Sequence, residues 1–146
     1  MAGNTSPLFN ASSLDDAELL ARARASSFID ESMAGDESSR EESGLWNVLR
    51  CVPAPNDAPT PQHIADATAK LDAQEWTTNV AVLADERTAK DDSVLVVALK
   101  DGKVHKTMRT ALASVIEVVC NVQLANMPLE EYIEWKGDAE VFDSRA

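Results

Sequence analysis

The residues best suited to chemistry lie at positions 100–109, the one basic island of an acidic chain. The 146-residue chain has a formal net charge of −12, whereas residues 100–109 hold one acid and four bases. The island contains Lys100, Lys103, His105, Lys106 and Arg109. Their charged donors suit a phosphate or a carboxylate, so they are candidate ligand- or partner-binding residues. The alternative is that the lysines only keep an exposed sheet edge solvated and unpaired.

Two other groups of titratable residues have some of the character of metal ligands. His63 and Asp66 are three residues apart, which places them on one face of a helix, but no second pair of metal-binding residues accompanies them. Residues 85–86 and 91–92 supply four carboxylates without the alternating order of a calcium loop. We therefore predict a solvated histidine, a solvated acidic loop, no metal site and no cofactor.

Motifs of common enzyme classes are absent from the sequence. It contains no G-x-S-x-G, no G-x-x-x-x-G-K-[ST] and no G-x-G-x-x-G, and its five glycines make phosphate-cradling loops hard to build. This absence disfavours a nucleotide-using enzyme but leaves open a small enzyme whose site is assembled from scattered residues. His105, near Asp101, is the alternative general base, and no catalytic residue is predicted.

Large apolar residues in the predicted helices form a second set of candidates, for contact with a partner. An exposed tryptophan, together with the apolar residues around it, is typical of a binding hot spot, whereas a buried tryptophan attaches a helix to a sheet. The interface candidates are Phe28, Trp46, Leu49 and Trp135.

Composition indicates the cellular location to be expected for this protein. Cys51 and Cys120 stand far apart in apolar surroundings, which predicts two buried, reduced thiols. No apolar run is long enough for a transmembrane helix, and the first residues lack the basic and apolar regions of a secretory signal. The acid excess repels nucleic acid and anionic membranes. We therefore expect a soluble cytoplasmic protein that does not bind a membrane.

The elements that would position these residues predict an α+β fold. Residues 1–12 are expected to be disordered and 13–52 to form a helical arm. The arm has one helix from Ser13 with an apolar stripe through Ala17, Ala21 and Ala25, and another over 45–52. The prolines of residues 53–61 predict a stiff connector, and Thr60-Pro61 predicts a helix start. A compact α+β core over 62–137 and a tail over 138–146 complete the predicted organisation.

A β-hairpin over residues 93–107 is the clearest prediction within that core. Ser93–Leu99 is rich in valine and leucine, Asp101-Gly102 is typical of a tight hairpin turn, and Val104–Thr107 is the return strand. A helix is expected to begin at Arg109 or Thr110, and a last short helix to follow Pro128. Residues 78–84 fit a helix or a strand, so the sheet has two or three strands.

These observations favour a non-catalytic intracellular protein-binding module, such as an adaptor, a chaperone-like protein, an inhibitor or an assembly subunit. We expect its partner to be another protein, for which a basic one is a candidate, or a second copy of this chain that pairs through the hairpin edge. The first alternative is a small enzyme or ligand-binding domain that holds an anion at the basic island. The second is an acidic mimic of nucleic acid.

Overall fold

The computed structural model describes residues 4–33 and 39–144. Within these ranges five strands form one mixed sheet in the order β2-β1-β3-β4-β5. The strands are β1 Ser6–Asn10, β2 Leu49–Pro53, β3 Val80–Ala84, β4 Ser93–Lys100 and β5 Lys103–Ala111. The helices are α1 Asp16–Arg24, α2 Ser27–Ser32, α3 Pro61–Ala69, α4 Thr88–Asp91, α5 Leu112–Gln123 and α6 Leu129–Lys136. This mixture confirms the predicted α+β class.

Strand β1 lies inside the sheet, between two parallel neighbours. Its Leu8 pairs with Cys51 of β2 and with Val82 of β3. Because successive side chains of a strand face opposite sides, Leu8 is buried in the core on one face and Phe9 in the core on the other. The predicted disorder of residues 1–12 is therefore wrong over β1, since five residues are too few to show a periodicity. Residues 1–3 lie outside the described ranges.

The two crossovers between parallel strands lie on opposite faces of the sheet. From β1 to β2 the chain passes through α1 and α2, and their Leu19 and Ile29 share a core with Val115 of α5. From β2 to β3 it passes through α3, whose Ile64 packs with Phe9 on the other face. Parallel pairing requires such crossovers, and here they place helices on both sides of β1.

Helix α1 differs from its prediction in start and in orientation. Asp15, not Ser13, is the N-cap, and its side chain accepts a hydrogen bond from the Glu18 amide at 2.8 Å. The residues of α1 that are buried are Leu19 and Ala23. The alanines of the predicted stripe are instead exposed; they are Ala17, Ala21 and Ala25.

The prediction of a helix over residues 45–52 is also wrong, because this segment ends in strand β2. Leu49 packs in the core beneath α1, while Val52 packs against the core beneath α3, as strand alternation requires. Thr60 is the N-cap and Pro61 the first residue of α3, as predicted. One sheet therefore runs through residues of the predicted helical arm and through residues of the predicted core.

The hairpin is confirmed. Asp101 and Gly102 have φ of 53° and 77°, the positive values of a tight hairpin turn. Strand β5 continues to Ala111, so α5 begins at Leu112, later than predicted. Residues 80–84, whose sequence fits either a helix or a strand, form β3. None of the described helices combines the length and the apolar composition needed to cross a bilayer.

Part of the predicted C-terminal tail is docked on the sheet. Phe142 is 1% exposed and bridges Thr110 of β5. Its ring lies 5.2 Å from that of Tyr132 and 5.0 Å from that of Trp135, centroid to centroid. Residues 145–146 lie outside the described ranges.

Phe9→Ala tests whether β1 belongs to the core. Removing a phenylalanine that is 2% exposed is expected to lower the free energy of unfolding by about 3–5 kcal/mol, through lost burial and the cavity left behind. The matched control is Phe28→Ala at a half-buried position, with a clearly smaller loss expected. Urea denaturation measures both. Equal losses would contradict the central position of β1.

Candidate functional site

Strand β2 is an edge of the sheet, and in the described part of the chain no strand lies on its outer side. The Ser6 amide donates to the Val48 carbonyl at 2.7 Å. In a parallel ladder, the main chain of a residue bonds to the two residues that flank its register partner. Leu49 is the register partner of Ser6, so the main-chain groups of Val48 and Arg50 face β1. The amides and carbonyls of Leu49 and Cys51 therefore face outward. Pro53 is the last residue of β2, and proline is tolerated in the edge strand of a sheet.

A groove of about 550 Å³ runs between this edge strand and α3, and we call it the β2–α3 groove. Its apolar lining includes Phe9, Val52, Ala67 and Leu71. Its polar lining includes His63, Asp66 and Lys70, so charges of both signs flank an apolar floor. A concave apolar surface with a few polar groups is the usual form of a binding site.

His63 has a structural role at the start of α3. Its Nδ1 accepts a hydrogen bond from the Thr60 amide at 3.1 Å, and the Thr60 hydroxyl accepts one from the His63 amide at 3.2 Å. This reciprocal cap fixes the end of the helix that borders the groove. Among the described residues no group of three or more potential ligands could hold a metal ion, so His63 and Asp66 have no such companions there.

The basic island does not come together as one site. His105 Nε2 lies 2.9 Å from Glu130 Oε1 of α6, on the face covered by α5 and α6. Arg109 donates two hydrogen bonds to Asp85 at 3.1 and 2.6 Å. Arg109 is paired across the hairpin with Leu95, which packs on the face covered by α3, so Arg109 lies on that face too. The lysines of the island are exposed; they are Lys100, Lys103 and Lys106.

A register shift explains this separation. Ala98 pairs with Lys106 and Leu99 with Val104, which leaves His105 as an extra residue in β5. A bulge interrupts the alternation of side chains along a strand. His105 and Arg109, which regular alternation would place on one face, therefore turn to opposite faces. Of the island, His105 and Lys100 share a shallow cavity of about 320 Å³ with Glu130.

The interface candidates differ in exposure. Leu49 is 1% exposed and belongs to the core, so its side chain offers no surface to a partner. Trp135 is 59% exposed and stacks on Tyr132 at 6.1 Å. Phe28 and Trp46 are half-buried.

Trp46 lies in a second groove of about 550 Å³, against the outer face of α1, and we call it the Trp46 groove. Its apolar lining includes Leu20 and Ala21. Two guanidinium carbons lie near the indole: that of Arg24 at 4.4 Å from the ring centroid and that of Arg40 at 5.9 Å.

Sequence reasoning missed the Trp46 groove for two reasons. The alanine stripe of α1 is typical of a helix face that packs on a core, whereas here it forms an outer surface. Arg24 and Trp46 lie 22 residues apart in the chain, and no recognised spacing links an arginine to a tryptophan at that distance.

A comparison with family models places the chain in a group of related sequences. The model described as "Domain of unknown function (DUF6924)" matches residues 29–145, most of the chain. The chain belongs to this family. No curated protein and no solved structure matched it significantly.

The DUF6924 chain carries two free thiols, both half-buried. Burial, and secondarily the nearby Asp16 carboxylate, raises the pKa of Cys51 from its ordinary 9.0 to about 12. Burial also raises the pKa of Cys120. Both thiols are therefore poor nucleophiles in the native protein.

Alkylation by iodoacetamide tests the environment of Cys51 in a Cys120→Ser chain. At pH 8 the native thiolate is expected to be about a thousandfold less populated than in urea, because thiolate population falls tenfold for each unit by which the pKa is raised. Between pH 9 and pH 12, the Cys51 thiol keeps its proton in the folded chain, whereas the same thiol loses its proton in the unfolded chain. Its contribution to the free energy of unfolding is thus full below pH 9 and decreases from pH 9 toward pH 12. A native rate that levels off near pH 9 would contradict this.

Asp85→Asn tests whether Arg109 is held for stability. Arg109 is 10% exposed at its side chain, so losing its carboxylate partner should lower the free energy of unfolding by about 2 kcal/mol. Lys103→Gln, in the exposed part of the island, should change it by less than about 0.5 kcal/mol. Urea denaturation of both variants separates these cases, and similar values would refute the structural role of Arg109.

Proposed function

We propose that this DUF6924 chain is a non-catalytic protein-binding module that takes up an extended segment of a partner protein along β2. The observation that carries the proposal is the open edge of β2 beside the β2–α3 groove. An added strand gains affinity from main-chain hydrogen bonds and specificity from a pocket that receives alternate side chains. Leu49 and Cys51 supply the main-chain groups, and the groove supplies the pocket.

The lining of the groove indicates which segment fits. Val52, Ala67 and Leu71 are half-buried and favour an apolar side chain, at about 25 cal/mol for each Å² of apolar surface removed from water. Asp66 and Lys70 are positioned to select the polar residues on either side. The net charge of −12 would increase the encounter rate with basic partners and reduce it with acidic ones.

The other free edge, β5, supports the proposal less well. Its last residues are already covered, because the Phe142 amide donates to the Arg109 carbonyl and the Ala111 amide donates to the Phe142 carbonyl, both at 2.8 Å. Its remaining part carries Lys103 and Lys106. Pairing two copies through β5 would bring like charges together, which destabilises a strand pair.

A role in holding an anion at the whole basic island is weakened by the bulge at His105, which turns the island's side chains to two faces. No geometric feature of the described residues favours the nucleic-acid mimic over strand addition. The roles of adaptor, inhibitor and assembly subunit are all compatible with strand addition at β2.

A matched pair of substitutions in α3 tests the proposal. Peptides are first selected from a displayed random library against the full chain, and their dissociation constants are measured by calorimetry. Ala67→Glu places a carboxylate in the groove and should weaken binding at least tenfold, a change of about 1.4 kcal/mol. Ala69→Glu makes the same change on the same helix away from the groove and should leave binding unaltered.

Amide chemical shifts identify the bound edge. Peptide binding should shift the Leu49 and Cys51 amides and change the β5 amides little. If the folded chain selects no peptide, or if Ala67→Glu and Ala69→Glu bind the selected peptides equally, strand addition at β2 is wrong.

A further inference from the structure

The Trp46 groove contains an arginine, Arg24, that makes no ion pair with any carboxylate in the described ranges. Every other arginine in the described ranges makes an ion pair with a carboxylate; they are Arg22, Arg40, Arg50, Arg87 and Arg109. Arg24 is half-buried and has only neutral acceptors among the described residues, the Trp46 carbonyl at 2.9 Å and the Asn47 Oδ1 at 3.5 Å. Although the described ranges are rich in aspartate and glutamate, none of these carboxylates pairs with Arg24.

The partial burial of Arg24 makes the absence of an ion-pair partner in the described ranges energetically unfavourable. Burial lowers the pKa of Arg24 below its ordinary value, because it removes water from the charged guanidinium. A desolvated charge is normally offset by a partner of opposite sign. Stacking on the Trp46 ring offsets part of the loss, because the face of an indole attracts a cation. The guanidinium still lacks an anion among the described residues.

Arg40 places a second guanidinium over the same ring. Its Nε pairs with Asp30 at 2.8 Å, and its Nη2 donates to the Arg24 and Ser26 carbonyls at 2.5 and 3.2 Å. These bonds fix Arg40 at the C-terminal end of α1 and leave its Nη1 without a partner among the described residues. Two fixed guanidiniums at one indole form a preorganised receptor for one anionic group.

The rest of the groove is apolar. Ala17, Leu20 and Ala21 extend from the guanidiniums along α1, and the volume of about 550 Å³ lies in the range of small-molecule sites. We propose that the Trp46 groove binds a small organic carboxylate with an apolar body. The carboxylate pairs with Arg24 beside Trp46, and the apolar body lies on the alanine face of α1. This site is independent of strand addition at β2.

Octanoate is the probe, and octanamide is the neutral control of the same length. Titration is followed by the Trp46 indole signal and by the amides of α1. Octanoate should shift these signals, with an affinity at least tenfold above that of octanamide, which corresponds to about 1.4 kcal/mol. Shifts that are absent, equal for the two compounds, or confined to the β2–α3 groove would overturn the proposal.

Two pairs of variants locate the anion. Arg24→Met should abolish the preference for octanoate, whereas Arg22→Met removes a charge from the same helix outside the groove and should retain it. Ala21→Glu places a carboxylate three residues before Arg24, within reach of its guanidinium. It should raise the melting temperature and abolish octanoate binding. Ala21→Gln crowds the same alanine face without adding a charge, so it should weaken octanoate and octanamide alike and keep the preference for octanoate.

The Ala21 pair keeps the test decisive if Arg24→Met fails to fold. Octanoate binding that survives in folded Ala21→Glu would show that Arg24 does not hold the carboxylate. A loss of the preference for octanoate over octanamide in Ala21→Gln as well as in Ala21→Glu would show that Arg24 does not select the carboxylate, which also rejects the proposal.

Discussion

The parallel pairing of β1 with both β2 and β3 is the constraint on which the rest of the structure depends. A strand with neighbours on both edges and helices on both faces must bury apolar side chains on each face, and β1 meets this with Leu8 and Phe9. Parallel neighbours cannot be joined by a tight turn, so the chain must cross over the sheet twice. The two crossovers bring α1 and α3 to opposite faces of the sheet.

Both grooves follow from this arrangement. Helix α1 contacts β2 on one face, and on the other face Val52 of β2 packs against the core that contains Ile64 of α3. No described strand covers the outer edge of β2. The β2–α3 groove lies where α3 leaves Val52 only half-buried. The Trp46 groove lies where the chain approaches β2 past the exposed alanines of α1. Strand addition and anion binding would therefore use different surfaces around one edge of the sheet.

Charge has a different role in each part of the molecule. Arg109 and Asp85 form an ion pair that ties β5 to the loop after β3, so a residue from the basic island has a structural partner. The exposed lysines of the hairpin lie along the opposite edge, where like charges disfavour pairing with a second copy. Arg24 alone among the described arginines combines partial burial with neutral partners, and this is why a groove without any recognisable motif supports a ligand hypothesis.

Local chemistry determined several features from the sequence by itself. A positive φ at Asp101 and Gly102 follows from the turn residues, the start of α3 follows from Thr60-Pro61, and the apolar run after position 110 dictates a buried helix. Only the tertiary structure decided that residues 6–10 form an inner strand, that 49–53 form an edge, and that His105 sits in a bulge. Short strands carry too little periodicity to be recognised alone. Their conformation is set by main-chain bonds to residues that are distant in sequence, and so is the position of every groove they border.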